Sequence, residues 1–299
     1  MADADYHYNR GVDLHDQGKL KEAIAEFRKA RDNAQRGTEL ALLIERALAD
    51  TDSQANPGDH GRCRSPMNPI RRLANLYGSI AYAIGPERWI PRLTQRVLCS
   101  VRTKEKKVAL TFDDGPNPEY TPLLLTKLAE YRVSATFFLI GRNLKRHPDI
   151  GRRVVQEGHE VGNHTYNHRS LPFLSKANTR NEVASTHQLI ADLLNVQPVF
   201  LRPPNGLFTE RALDTVEELG YRAVVGDVFP VDVAWPRPEI ITSRVLRRVQ
   251  PGSIIILHDG YVGRFDRDKS QTVRSLDGLI PRLCEQGFEF VTLSHLVSA

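Results

Sequence analysis

The sequence predicts an α/β fold in which about seven parallel strands form a small or incomplete barrel, preceded by a short helical segment. From residue 107 onwards, short apolar runs alternate with longer stretches that have helical periodicity. This alternation favours βα units around a parallel sheet. Polar residues follow several of the apolar runs, and in βα barrels the chemistry collects at the carboxyl ends of the strands.

The predicted strands lie at residues 108–112, 135–140, 160–162, 199–201, 222–225, 253–257 and 289–292. The predicted helices lie at residues 121–131, 148–157, 178–194, 210–219, 238–249 and 272–286. Seven strands over about 190 residues are enough for a small or incomplete barrel.

Composition places the chain among ordinary globular proteins, since 40% of its 299 residues are hydrophobic and 26% are charged. No apolar run approaches the roughly 18 residues that span a bilayer, and the N-terminus lacks the features of a signal peptide. Three separated cysteines, Cys63, Cys99 and Cys284, agree with free thiols. We therefore expect a cytoplasmic protein without a nucleic-acid partner.

The N-terminal segment, residues 1–50, is predicted to be helical. Residues 6–35 resemble one tetratricopeptide repeat, a helix-turn-helix unit of about 34 residues. The resemblance lies in the order of the small and apolar residues Gly11, Leu14, Gly18, Ala23, Phe27 and Ala30. Because such units bury their faces by stacking, a single unit needs another surface. We interpret it as a site for a protein partner, a remnant or a capping helical pair.

Residues 51–105 are predicted to be a basic linker with an amphipathic stretch. Between Arg62 and Lys107, eleven Lys or Arg residues stand against two acidic residues, around the largely apolar stretch 73–90. This pattern is typical of a segment that lies on an anionic membrane surface, which would give peripheral membrane association. The alternative is a solvated linker and a helix packed on the main domain. A chain starting near Arg102 is predicted to fold without this segment.

Two carboxylates, Asp113 and Asp114, stand side by side where the first predicted strand meets a Gly-Pro turn. Within a strand, successive side chains point to opposite faces, whereas a pair at the strand's end can face one site. Polar groups also follow four other strands, in the segments GNHTYNH, RPPNG, GDVFPVD and LHDG. Together these strand ends predict one functional site.

His164 and His168 are four residues apart, which would place both imidazoles on one face of a helical turn. An isolated pair at this spacing is more often found on the surface or in the core than on a metal. A carboxylate from another strand end completes a set of two histidines and one aspartate, which leaves open coordination positions as catalytic metal sites do. Zinc is the leading expectation, and cobalt, manganese and nickel are also compatible.

The segments TFDDGP, HTYNH, RPPNG and LHDG, in this order and spacing, resemble the NodB-homology polysaccharide deacetylases, carbohydrate esterase family four. The resemblance covers residues 106–297. It implies a distorted (β/α) barrel that holds one divalent metal ion. It also implies an enzyme that removes N- or O-acetyl groups from sugar polymers such as chitin or peptidoglycan.

The resemblance implies roles for the matched residues. Asp114 would bind the metal beside His164 and His168, and Asp113 would be the general base. A structural Arg–Asp pair or buried, satisfied histidines would be the alternative for these groups.

Further roles follow from the other motifs. His258 would be the general acid that protonates the departing sugar nitrogen. Arg202 would orient Asp113 and keep it ionised. Of the two acids in GDVFPVD, Asp232 rather than Asp227 is taken as the partner of His258.

Three residues are expected to bind substrate. Leu257 would line the pocket for the acetyl methyl group, although a core position is equally compatible. Asn205 stands where the family commonly has an aromatic residue, and its backbone N–H would help to hold the oxyanion. Trp235 is displaced relative to the family's pattern and is the third candidate.

The leading hypothesis is a metal-dependent hydrolase acting on N-acetylated amino sugars. A second hypothesis keeps the site but gives it a lipid-linked sugar or a non-carbohydrate amide, which would suit the basic, partly apolar stretch 62–107. A third is an inactive sugar-binding or scaffold protein that recruits partners through its N-terminal helices. The intact acidic and histidine residues of the motifs argue against the third.

Overall fold

The structure is a computed structural model that describes residues 7, 14, 19–33, 95–232, 237–261 and 268–298. The chain divides into two compact units, Met1–Asn68 and Pro69–Ala299. Much of the predicted tetratricopeptide-like unit, most of the basic segment and Trp235 lie outside the described residues. Within the described ranges, no helix has the length and apolar character needed to cross a membrane.

The first unit contains helix α1, Leu20–Asn33. Ala23, Phe27 and Ala30 are buried along it, at spacings of four and three residues that place them on one face. These are three of the positions that carry the tetratricopeptide-like pattern. The helix is observed, and the repeat itself stays a prediction.

In its described part, the second unit is built on eight strands that pair with one another only in parallel. They are β1 (Val97–Leu98), β2 (Lys107–Asp113), β3 (Thr136–Leu139), β4 (Glu160–Asn163), β5 (Phe200–Leu201), β6 (Arg222–Val224), β7 (Ile254–His258) and β8 (Glu289–Val291). The strand order is β1-β6-β5-β4-β3-β2-β7, and β8 pairs with the first half of β2. The predicted parallel α/β fold is confirmed, with β1 as an additional strand.

Eight helices accompany these strands in the described part of the second unit. They are α2 (Tyr120–Tyr131), α3 (Gly141–Arg146), α4 (Pro148–Gln156), α5 (Lys176–Leu194), α6 (Glu210–Glu218), α7 (Pro238–Leu246), α8 (Ser270–Glu285) and α9 (Leu293–Ser298). Ser175 and Thr209 cap the starts of α5 and α6 by accepting backbone N–H groups. The six long helices match the predicted ones, and the short α3 and α9 were not predicted.

Two isolated bridges join the ends of the sheet. Val228, which follows β6, forms a parallel bridge with Ile255 in β7, and Ser100, which follows β1, forms an antiparallel bridge with Ser253. The sheet therefore closes through single bridges instead of a full ladder. This closure gives the barrel-like, distorted shape that the sequence resemblance implies.

Strand β2 has more partners than any other described strand, since it pairs with β3, β7 and β8. All its residues after Lys107 are buried, and Phe112 stacks on Phe137 with ring centroids 5.0 Å apart. Apolar side chains of α2, α7 and α8 complete this core. The carboxyl end of β2, and with it Asp113, is therefore held by packing on several sides.

Arg96, near the start of the described part of this unit, forms ion pairs with α6. The guanidinium of Arg96 donates hydrogen bonds to Glu210 (2.7 Å), Asp214 (2.8 Å) and Glu217 (2.7 and 2.8 Å). Val97 and Leu98, the two residues of β1, are buried against the barrel. Residues 96–98 thus belong to the barrel structurally, although the sequence placed them in the linker.

Of two shortened chains, one starting at residue 95 and one starting at residue 103, the second is expected to have the lower melting temperature because it lacks β1. Burying an aliphatic side chain contributes about 1.5–3 kcal/mol, and β1 supplies two such side chains. For a domain of this size, each kcal/mol shifts Tm by about 2–4 °C, so we expect a decrease of about 10 °C. Thermal unfolding of the two shortened chains measures this difference. Equal Tm values would show that β1 contributes nothing to the barrel.

Candidate active site

The site begins at the carboxyl end of β2, where the two neighbouring carboxylates leave the strand. Asp113 is the last residue of β2, and Asp114 has a φ of 76°, in the left-handed region. The following Gly115 packs directly on Asp259, since a Cβ at this position would lie 2.2 Å from Asp259 Oδ2. Both carboxylates are buried, and the left-handed Asp114 and the close turn end the strand's alternation between faces.

Asp114 meets the two predicted histidines. Its Oδ1 lies 3.5 Å from His164 Nε2 and 3.2 Å from His168 Nε2, and the three potential ligand atoms lie within 4.8 Å of one another. Oδ1 is buried and has no hydrogen-bond partner in the described part of the chain. A buried carboxylate oxygen facing two imidazole nitrogens fits a divalent ion with open coordination positions.

The protonation states agree with a metal site. Burial alone would raise the pKa of Asp114, but the imidazoles of His168 and His164 hold it well below its usual range. Burial lowers the pKa of His168 to about 4, against the opposing effect of Asp114. A charged carboxylate and a neutral imidazole are the forms that bind divalent metals.

The two histidines do not lie on a helical turn, so this part of the prediction is wrong. β4 ends at Asn163, and the residues after it form a loop in which Thr165 and His168 have φ values of 65° and 57°. His164 Nδ1 lies 2.7 Å from the carbonyl oxygen of Arg202. An Nδ1–H that donates to this carbonyl leaves Nε2 free to face Asp114.

Asp113 forms a buried ion pair with Arg202. Arg202 Nη1 donates to Asp113 Oδ1 at 2.6 Å and to Thr111 Oγ1 at 2.8 Å. The guanidinium carbon lies 4.1 Å from the centre of the Phe138 ring. The predicted Arg–Asp contact therefore exists, and it fixes the orientation of the Asp113 carboxylate.

His258 ends β7 and lies beside Asp113, because the two residues are partners in the parallel ladder of β2 and β7. Its Nδ1 lies 2.9 Å from Asp232 Oδ1, and its backbone N–H donates to Asp232 Oδ2 at 2.9 Å. Thr272 Oγ1 also donates to Asp232 Oδ2, at 2.9 Å. Two of these three contacts of the Asp232 carboxylate are thus made with His258, one with its imidazole and one with its backbone.

This contact sets the charge of His258. Burial lowers its pKa, but the charge and the hydrogen bond of Asp232 outweigh burial and raise the pKa to about 9. Burial raises the pKa of Asp232, but the charge and hydrogen bond of His258, together with Lys269 and Thr272, outweigh burial and lower that pKa. His258 is consequently an imidazolium at neutral pH.

Asp227, the other acid of the segment GDVFPVD, has a different position. Asp227 accepts hydrogen bonds from Ser253 Oγ (2.8 Å) and Ile254 N (2.7 Å) at the start of β7. The structure therefore brings Asp232, and not Asp227, to His258, as the sequence favoured.

The structure does not bring the three predicted substrate-binding residues together in its described part. Asn205 is exposed with a φ of 58°, and its side chain donates to Ser170 Oγ at 2.9 Å. Leu257 is fully buried in the core, paired with Phe112 across the β2–β7 ladder. Trp235 lies outside the described residues. These three roles stay predictions.

Sequence reasoning missed Asp259, the acid directly after His258. Its backbone N–H donates to Asp113 O at 3.0 Å, and its Oδ2 accepts from Thr121 Oγ1. Burial raises the pKa of Asp259 to about 7, despite the hydrogen bond from Thr121. The carboxyl group lies under the turn that follows Asp114. The only signal in the sequence was its place in LHDG at the end of a strand.

Comparison with known proteins agrees with this geometry. The polysaccharide deacetylase family matches residues 100–224. A peptidoglycan-N-acetylglucosamine deacetylase of Bacillus cereus is 38% identical over 68% of this chain and 94% of its own length. A chitooligosaccharide deacetylase of a Bradyrhizobium strain is 41% identical over 64% of this chain and 90% of its own.

Solved structures show the same fold. The crystal structure of Bc1960, a peptidoglycan N-acetylglucosamine deacetylase, matches with a TM-score of 0.65 at 36% identity, over 71% of this chain and 96% of that one. A family 4 acetyl xylan esterase from Clostridium thermocellum, solved with a cobalt ion, matches with a TM-score of 0.59 at 35% identity, over 64% of this chain and 91% of that one.

Proposed function

Because the chain belongs to the polysaccharide deacetylase family, we propose that it is a metal-dependent enzyme that removes the acetyl group from N-acetylated amino sugars in a poly- or oligosaccharide. The observation that carries this proposal is the buried Asp114 Oδ1, which faces two imidazoles and has no hydrogen-bond partner in the described part of the chain. The activities of the related deacetylases support amino sugars as the substrate class.

Asp114, His164 and His168 would hold the ion, since their ligand atoms face one another. A divalent ion bound by them would supply Lewis-acid activation of a water molecule and of the acetyl carbonyl group. The donor set of one carboxylate and two imidazoles suits zinc, and it also accepts cobalt, manganese or nickel. The acetyl xylan esterase that was solved with cobalt supports this range.

The remaining residues move protons. Asp113, oriented by Arg202, accepts the proton of the attacking water. His258, charged at neutral pH, gives its proton to the sugar nitrogen as the C–N bond breaks. Because β2 and β7 pair in register, the base and the acid emerge side by side from adjacent strands. The products are acetate and the free amine of the sugar.

Asp232 acts through His258. It accepts from Nδ1 and from the backbone N–H of the histidine, which fixes the ring and stabilises its charged form. With Nδ1 engaged in this way, Nε2 is the nitrogen left to donate the proton. Asn205 and Leu257 remain proposed contacts of the substrate.

Removing the metal is expected to abolish acetate release, and adding zinc or cobalt is expected to restore it. Purified protein should contain about one divalent ion per chain, and a His164→Ala, His168→Ala double variant should contain far less. Metal analysis and an acetate assay on chitin oligomers, peptidoglycan fragments and acetylated xylan measure both effects. The control is His295→Ala, which removes an exposed histidine of α9. Stoichiometric metal in the double variant would contradict the ligand assignment, and release only from xylan would contradict amino sugars as the substrate.

Three finer hypotheses stay predictions of the sequence. They are the tetratricopeptide-like unit as a site for a protein partner, contact of residues 62–107 with a membrane surface, and a cytoplasmic location. A lipid-linked sugar as substrate depends on the second of them.

A further inference from the structure

The loop between the two proposed metal-binding histidines is clamped at both of its central peptide units. The carbonyl oxygens of Thr165 and Tyr166 accept hydrogen bonds from Gly141 N (3.0 Å) and Arg142 N (3.1 Å). The amide groups of the same two peptide units, Tyr166 N–H and Asn167 N–H, point the other way. Each of the two peptide units is therefore hydrogen-bonded on both sides, through its carbonyl oxygen on one side and its N–H on the other.

The acceptor for both amides is the carboxylate of Glu182, in α5. Its Oε2 accepts from Tyr166 N at 3.0 Å and from Asn167 N at 2.7 Å. Its Oε1 accepts from Asn167 Nδ2 at 2.9 Å. Glu182 is buried, with 6% of its surface exposed, so these bonds are shielded from competing water. Hydrogen bonds to a carboxylate are stronger than those between neutral groups.

The clamp lies close to the helices that form it. A Cβ at Gly141 would lie 2.6 Å from Thr186 Oγ1, in α5, and 2.8 Å from Tyr166 Cδ2. The start of α3, the loop and α5 are therefore in direct contact. The loop itself holds Thr165 and His168 in the left-handed region, which non-glycine residues keep only where the surroundings enforce it. Glu182 is part of what enforces it.

We propose that Glu182 is a positioning residue for the metal site: by fixing the two peptide units between His164 and His168, it sets the separation of the two imidazoles and thereby the affinity for the metal. The inference rests on the proposed ligand set. Glu182 touches neither the ligand side chains nor the substrate in this proposal. It acts only through the backbone of the loop.

The test compares cobalt binding by the full-length chain and its variants. Glu182→Met keeps the volume of the side chain but accepts no hydrogen bond. We expect it to bind Co²⁺ about 10–100-fold more weakly, the usual effect of removing a group that supports a metal ligand. We also expect the visible absorption bands of bound Co²⁺ to change. Glu182→Gln keeps a carbonyl oxygen for both backbone amides and is expected to bind within about threefold of the original chain.

Glu160→Met is the matched control. Glu160 also accepts three hydrogen bonds, from Thr136 Oγ1 (2.9 Å), Ser294 N (3.1 Å) and Ser294 Oγ, but it stands at the opposite end of β4 from the loop. A loss of stability in both variants with a loss of cobalt affinity only in Glu182→Met would support positioning over a general structural role.

Cobalt affinity and spectrum unchanged in Glu182→Met would overturn the inference. If that variant does not fold, Glu182→Gln decides, because a folded glutamine variant that loses more than tenfold in affinity would show that the two backbone hydrogen bonds are not what matters. Failure of the unaltered chain to bind Co²⁺ would instead overturn the proposed metal site, and the inference with it.

Discussion

Replacing Asp113 by asparagine is expected to lower the turnover of acetylated amino sugars by about 10²–10⁴-fold or more, while the protein keeps its metal ion. Asparagine has nearly the same shape but cannot take a proton from water. Asp113 is not one of the three residues whose ligand atoms face one another, so the metal content should not change. Steady-state acetate release and metal analysis of the same preparation test both parts.

The variant should also be less stable, because Arg202 would lose its charged partner. Breaking a buried ion pair costs about 3–5 kcal/mol, and asparagine, which keeps an acceptor oxygen, is expected at the low end. Asp227→Asn is the control, since it alters a buried strand-end carboxylate that holds Ser253 and Ile254. It should lower stability without a comparable loss of turnover. Turnover of Asp113→Asn within threefold of the original enzyme would refute the assignment of the base.

Replacing His258 by alanine is expected to cause a loss of similar size, about 10²–10⁴-fold, and the loss should depend on the leaving group. A sugar amine leaves poorly without a proton, whereas the aryl oxide of an activated aryl acetate leaves readily. The variant should therefore retain more activity on the ester than on the amide. Parallel assays on both substrates measure this, and equal losses would count against His258 as the acid.

The pH profile gives a second measurement of the same residue. With the pKa of His258 at about 9, the acid is protonated at neutral pH and kcat/KM should fall on the alkaline side. A bound divalent cation opposes the imidazolium charge, so the alkaline limb of the loaded enzyme is expected at or below pH 9. Asp232 raises this pKa, and Asp232→Asn should therefore move the alkaline limb to lower pH. If the alkaline limb of Asp232→Asn stays at the same pH, Asp232 does not set the pKa of the general acid.

The same contact affects stability. The pKa of His258 in the folded protein lies above the value of about 6.5 expected for an unfolded chain. The charged contact with Asp232 thus contributes fully below that value, and the contribution is lost as the pH rises from about 6.5 to about 9. In Asp232→Asn, this decrease should be much smaller.

The central strands could be predicted because their apolar runs are long enough to stand out. β2 and β7 are nearly all apolar and buried, and their pairing places the carboxylate and the imidazole of LTFDD and ILHDG together. β1 could not be found, since its two residues sit in a basic stretch and form a strand only by pairing with β6. Its position is decided by tertiary contacts, which local pattern does not record.

For the site, the residue identities could be predicted from the sequence, but the loop conformation could not. The identities of Asp114, His164 and His168 follow from short motifs, but the spacing of four between the histidines wrongly favoured a helical turn. The loop conformation depends on Glu182 and on the amides of α3, which are distant in sequence and carry no motif. Short motifs in the sequence therefore identify the proposed metal ligands better than the residues that contact the loop between them.

The three partners of β2 have a consequence for the order in which the molecule can assemble. Its neighbour β3 follows within a short helical crossover, but β7 and β8 come from the far end of the chain, and Thr111 bonds to Ile255 across 144 residues. Pairings of such long range are slow to form and must await the last part of synthesis. The proposed metal ligands follow the early strands β2 and β4, whereas His258 arrives with β7. A nascent chain would thus acquire the proposed metal ligands before the proposed acid, and the two sets would meet only when the barrel closes.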